Sequence, residues 1–150
     1  MRALIQRVAW ARVRVAGETV GTIERGLLVL LGIEGADGPE DSTWLAGKIA
    51  ALRIFSDREG KMNANLAEVG GRVLVVSQFT LHASYKKGNR PSFIRAARPE
   101  QATELYEQFL LDLALQTSTP IEAGIFGADM QVELLNDGPV TIFMDSKNRE

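Results

Sequence analysis

The segment Gly26–Ile33, GLLVLLGI, constrains the fold more than any other part of the chain. It is a continuous apolar run bounded by glycines, and such a run suits a strand buried on both faces. A second apolar strand is expected at Arg72–Ser77, RVLVVS. A strand buried on both faces needs cover above and below, and the rest of the chain must supply it. Residues 3–8 and 12–16 alternate polar and apolar, and Glu18–Ile23 pairs naturally with the second of them across Gly17. Pro39 with Glu40 behind it signals a helix start, and Leu45, Ile49 and Leu52 keep the spacing of a core-facing stripe. A second helix is expected from Pro99 to about Gln116, with Leu105, Phe109 and Leu113 inward. The segment Ser56–Gly71 reads as loop. Strands are expected at Ile121–Phe126, Met130–Leu135 and Val140–Met144. The class is α+β: a single domain over residues 1–150, with a curved, barrel-like, mostly antiparallel sheet carrying two main helices.

Composition removes many functions. With no cysteine among 150 residues there are no disulfides, thiolate metal sites or cysteine nucleophiles. The single histidine is His82, so any imidazole base must be that residue, and a metal site built from several His ligands is impossible. No phosphate-binding loop or dinucleotide fingerprint occurs; Gly70-Gly71 precedes a strand instead of opening a helix. No metal or organic cofactor is expected. No apolar run approaches the roughly 20 residues that span a bilayer. The N-terminus reads as a strand of the mature fold, which with the lack of cysteine suits the cytoplasm. The net charge is −2, yet Lys86, Lys87, Arg90, Arg95 and Arg98 follow one another with no acidic residue among them. Such a patch is either a solvated loop or a surface that meets a few phosphates.

Two segments carry polar groups where chemistry could lie. LVVSQFTLH, Leu74–His82, ends an apolar strand in Ser77, Gln78 and Thr80 around Phe79. Side chains there either cap neighbouring backbone groups or face a cleft. Asn136-Asp137-Gly138-Pro139 has strong turn chemistry, and on its own it reads as a hairpin connection between two strands.

Taken together, IQRV at Ile5–Val8, GLLVLLGI, RIFSDREGKMN at Arg53–Asn63, SQFTL at Ser77–Leu81, RPSF at Arg90–Phe93 and NDGPVT at Asn136–Thr141 resemble the D-aminoacyl-tRNA deacylase family over essentially the whole length. The resemblance implies a homodimeric ester hydrolase that removes D-amino acids, and glycine, from tRNA. It implies that Ser77, Gln78, Phe79 and Thr80 line a pocket for the aminoacylated terminal adenosine. Gly138 and Pro139 of the other subunit would then reach into that pocket through a cis peptide bond, rejecting L side chains, with Arg7 holding their orientation. Phe126 and Met130 would lie near the adenine, with core packing as the plainer alternative. Lys86, Lys87 and Arg90 would meet acceptor-stem phosphates.

For catalysis, the backbone amides around Phe79 and Thr80 are candidates to stabilise the oxyanion. Thr80 is the evident hydroxyl nucleophile, and on an extended strand His82 would share its face. The favoured alternative is that the ribose 2′-hydroxyl of the tRNA positions water, with His82 a bystander. A non-enzymatic RNA-binding module and a synthetase proofreading domain acting on L-amino acids are the rivals. The length of the chain and the NDGPVT segment speak against both.

Overall fold

The computed structural model describes all residues from Met1 to Glu150. Its spine is β1 (Arg2–Val15), a strand of 14 residues. One edge of β1 is shared: its first half pairs with β3 (Gly26–Gly32), and its second half with β2 (Glu18–Ile23). Its other edge carries β8 (Met130–Asp145) along nearly its whole length. Beyond β3 come β6 (Arg72–Ser77) and the short β7 (Glu122–Ala123), both joined in parallel. The sheet is therefore mixed, nearly closed and barrel-like, in the order β2-β1-β3-β6-β7 with β8 on β1. A small hairpin of β4 (Phe55–Ser56) and β5 (Met62–Ala64) stands apart.

The two apolar runs become β3 and β6, the central parallel pair, and each is buried on both faces. Leu27, Val29, Leu31, Val73 and Val75 belong to the larger core beneath the helices. Leu28, Leu74 and Val76 belong to a second core with Val8, Ala11, Val13 and Ile23. Helices α1 (Pro39–Ala51) and α2 (Pro99–Thr117) cover the first core with Leu45, Ile49, Leu105, Phe109 and Leu113. At about 25 cal/mol for each Å² of apolar surface removed from water, this double cover is the main source of cohesion.

Three expectations are corrected. The two N-terminal strands are one, because the register of β1 against β8 shifts on either side of Val8. These bulges reset the alternation, so Ala3 and Ile5 face one core while Val8, Ala11 and Val13 face the other. Likewise Asn136–Pro139 is no hairpin. The strands on both sides of it pair with the same partner, β1, and form one 16-residue strand carrying a bulge. The expected strand Ile121–Phe126 shrinks to the two residues of β7.

Candidate active site

The ladder between β3 and β6 ends at Leu31 and Ser77. Gln78 still donates its N–H to the Leu31 carbonyl at 2.7 Å, and the chain then coils into a short 3-10 helix, Phe79–His82. Gly32 permits this turn. A Cβ there would lie 2.9 Å from the Gln78 carbonyl, 3.0 Å from Leu81 Cβ and 3.1 Å from His82 Cδ2. The extended geometry expected through Thr80 and His82 is thus absent, and with it the shared face. Gln78 Nε2 donates to Thr80 Oγ1 in a short hydrogen bond. His82 turns inward, fully buried, and neither ring nitrogen has a hydrogen-bond partner. Burial, with the Arg2 charge nearby, holds its pKa below the ordinary histidine value. No Thr80–His82 pair forms.

A cavity of about 580 Å³ opens at this end of the parallel strands. Ser77, Gln78, Phe79, Phe126 and Met130 all line it; Thr80 does not. Phe79 is 57% exposed, and its ring meets Phe93 edge-on at 5.1 Å. Phe126 serves both expectations, lining the cavity and packing on Tyr106 at 5.7 Å. The Tyr106 hydroxyl, its pKa pushed up to about 12 by burial, donates to the Val75 carbonyl at 3.0 Å and so braces the wall without titrating. Phe93, Ala96, Ala97, Pro99 and Ala102 also line it, and none of them is a site residue that the sequence assigns. The RPSF motif was the one signal that could have pointed to Phe93.

The Gly138–Pro139 segment lies elsewhere. Val8 faces Asn136 and Gln6 faces Thr141, so two steps along β1 match five along β8, and the excess residues stand out as an exposed bulge. The Gly138–Pro139 peptide is cis. Arg7 braces the bulge from below, donating from Nε to the Asp137 carbonyl at 2.8 Å and from Nη1 to the Ile54 carbonyl at 2.6 Å. Asn136 closes its base: Oδ1 accepts from the Val140 N–H at 2.8 Å, and Nδ2 donates to Thr141 Oγ1 at 3.0 Å. Gly138 has φ +142, and a Cβ there would sit 2.8 Å from Val140 Cγ2 and 2.9 Å from Arg7 Nη2. None of Arg7, Gly138 and Pro139 lines this cavity.

Lys86, Lys87 and Arg90 lie exposed on a loop pinched by reciprocal 2.8 Å backbone bonds between Ser84 and Ser92. Arg95 differs from them, being paired with Glu34 at 2.7 Å. No group of three or more His, Asp or Glu side chains is placed to hold a metal ion. No helix is long and apolar enough to cross a membrane.

The walls thus offer an apolar seat with a polar margin of amide, hydroxyl and helix-start N–H groups, without an imidazole or carboxylate pair at hand. A family model described as D-Tyr-tRNA(Tyr) deacylase matches residues 4–145, and the chain belongs to that family of ester hydrolases, the D-aminoacyl-tRNA deacylases. It is 63% identical to the D-aminoacyl-tRNA deacylase of Akkermansia muciniphila over 150 residues, covering all of both chains. A solved structure described as c-Myc DNA Unwinding Element Binding Protein is 42% identical and superposes with a TM-score of 0.90, over 97% of this chain and 98% of that one. A second, described as a probable eukaryotic D-amino acid tRNA deacylase, shares the fold at a TM-score of 0.79 and 17% identity, covering 95% and 97%.

Proposed function

We propose that the chain works in the cytoplasm as a homodimer that hydrolyses the ester of D-aminoacyl-tRNA and of glycyl-tRNA, with the Gly138–Pro139 bulge of each protomer entering the cavity of its partner. The observation that carries this is the separation of the two parts. An exposed bulge braced by Arg7 and Asn136 contributes nothing to the lining of the cavity in the same chain. A second copy related by a two-fold axis joins them twice.

In the composite site the terminal adenosine lies among Phe79, Phe93, Phe126 and Met130, where an aromatic face can stack on a base. The ester carbonyl lies at the start of the 3-10 helix. The N–H groups of Phe79 and Thr80 have no acceptor within that helix and are free to stabilise the oxyanion. The bulge then excludes an L side chain, leaves a D side chain in open space and has nothing to reject in glycine. Thr80, held by Gln78 and lacking a base, orients the margin and does not attack. The adjacent ribose 2′-hydroxyl positions the water. Lys86, Lys87 and Arg90 receive acceptor-stem phosphates.

The test is complementation between two damaged chains. Gly138→Ala spoils the bulge and Phe79→Ala spoils the cavity, so the first homodimer cleaves D- and L-esters alike and the second cleaves neither. Refolded with a large excess of the Phe79→Ala chain, nearly every Gly138→Ala chain sits in a mixed dimer whose one working cavity faces an intact bulge, so the preference for the D-ester is recovered. No recovery would place bulge and cavity in separate functions. The DNA-binding name of the 42% identical structure favours one other reading, a nucleic-acid binder without turnover. Retention of charged tRNA with its ester intact would support that reading.

A further inference from the structure

The five cations between Lys86 and Arg98 are treated unequally by the fold. Lys86, Lys87 and Arg90 are exposed and without an ion pair. Arg95 sets its Nη2 and Nε at 2.7 and 3.1 Å from Oε2 of Glu34. The Glu34 side chain is only 9% exposed, against 54% for Arg95, and Arg95 is its one ion-pair partner. A carboxylate so withdrawn from water depends on its partner, and two guanidinium N–H groups on one of its oxygens fix direction as well as charge.

This pair belongs to a seam. Glu34 faces Ala96 across an antiparallel bridge, the Ala97 N–H donates to the Ile33 carbonyl at 2.9 Å, and the Gly35 N–H donates to the Arg95 carbonyl at 3.2 Å. The seam fastens residues 95–97 to the continuation of β3. Those residues carry the cavity wall: Ala96 and Ala97 line it directly, and Phe93, two residues before Arg95, packs on Phe79.

We propose that Glu34 and Arg95 form a latch that positions the Phe93–Ala97 wall of the cavity, and that Arg95 is a positioning residue and not a phosphate contact. The inference rests on the reading of this cavity as the seat of the aminoacylated RNA end. Glu34→Gln is the deciding variant, because it removes no cation and so cannot remove a phosphate contact. Glu34→Gln and Arg95→Ala are each expected to raise KM for D-tyrosyl-tRNA about tenfold with kcat within about twofold, since a loosened wall weakens the grip on the substrate. The double variant should be no worse than either single one. Neither should change the dependence of affinity on salt, whereas loss of one phosphate contact lowers that slope by about one. Arg95→Lys, which keeps the charge and loses the paired guanidinium N–H groups, should fall between.

Hydrogen exchange gives a readout independent of turnover: amides of residues 93–97 should exchange faster in Glu34→Gln than in the wild type. Unchanged exchange would overturn the latch whether or not the chain cleaves any ester. A reduced salt slope in Arg95→Ala beside an unaltered KM in Glu34→Gln would overturn it too, making Arg95 a phosphate contact. Faster exchange in Glu34→Gln, beside a wild-type protein that cleaves no ester, would leave the latch standing and remove the functional reading alone.

Discussion

The cavity at the ends of β3 and β6 and the bulge on β8 are built by opposite means. The cavity collects residues from many elements around an apolar seat, and its polar margin exists because a parallel ladder runs out at Ser77 and the chain must coil. The bulge is a few consecutive residues, exposed, and held by side chains whose hydrogen bonds all return to backbone or to one another. One is an enclosure gathered from distant segments; the other is a projection braced from within its own strand and β1. In a dimer the first would supply grip and the second discrimination.

The sharpest way to break that division is Gly138→Ala. The added Cβ meets Val140 and the Arg7 guanidinium, so the bulge must move. Displacements near 1 Å at a reacting centre can cost about 100-fold, and the ratio of D- to L-ester cleavage should fall by about that factor. A ratio unchanged in parallel time courses would remove the bulge from the filter. Next in size is the joint replacement of Lys86, Lys87 and Arg90 by alanine. The slope of log affinity against log salt should drop by about three, roughly one for each lost phosphate contact. Titrations in which the slope holds would return the loop to plain solvation.

Thr80→Ala should cost less, with kcat staying within about tenfold in single-turnover assays, because the hydroxyl is tied to Gln78 and no base stands beside it. A fall of about a thousandfold or more would restore Thr80 as nucleophile. The smallest effect concerns His82. Its folded pKa lies below the unfolded value near 6.5, so the unfolded chain takes up the proton more readily. Stability should therefore hold above pH about 6.5 and be lost as pH falls through that value towards the depressed folded one. His82→Gln should flatten this decline in Tm between about pH 7 and 5 while leaving kcat nearly unchanged. Equal declines in both proteins would assign the acid sensitivity to other groups.

How much of this was legible in the sequence depends on whether the cause was local. The doubly buried strands announced themselves, because burial on two faces leaves no polar alternation in Gly26–Gly32 or Arg72–Ser77. Helix starts at Pro39 and Pro99 were equally plain. The β8 bulge was not. Asn-Asp-Gly-Pro has every local mark of a turn, and only pairing with β1 on both sides, more than a hundred residues away, makes it an excursion within one strand. Ser77, Gln78 and Phe79 stood out as polar and aromatic groups at a strand end, but Ala96 and Ala97 have no chemical signature. They reach the cavity only through the bridge to Glu34. In the sequence Arg95 is one cation among five, and only the fold sets it beside Glu34.

The most direct test of the central claim, a composite site that cleaves D-esters and refuses L-esters, is a parallel deacylation time course of the wild-type protein on D-tyrosyl-tRNA and L-tyrosyl-tRNA. The account predicts rapid loss of the D-ester while the L-ester decays at its spontaneous rate. Loss of both at similar rates would contradict it by showing no chiral filter at the bulge, and loss of neither would leave a cavity that binds without cutting.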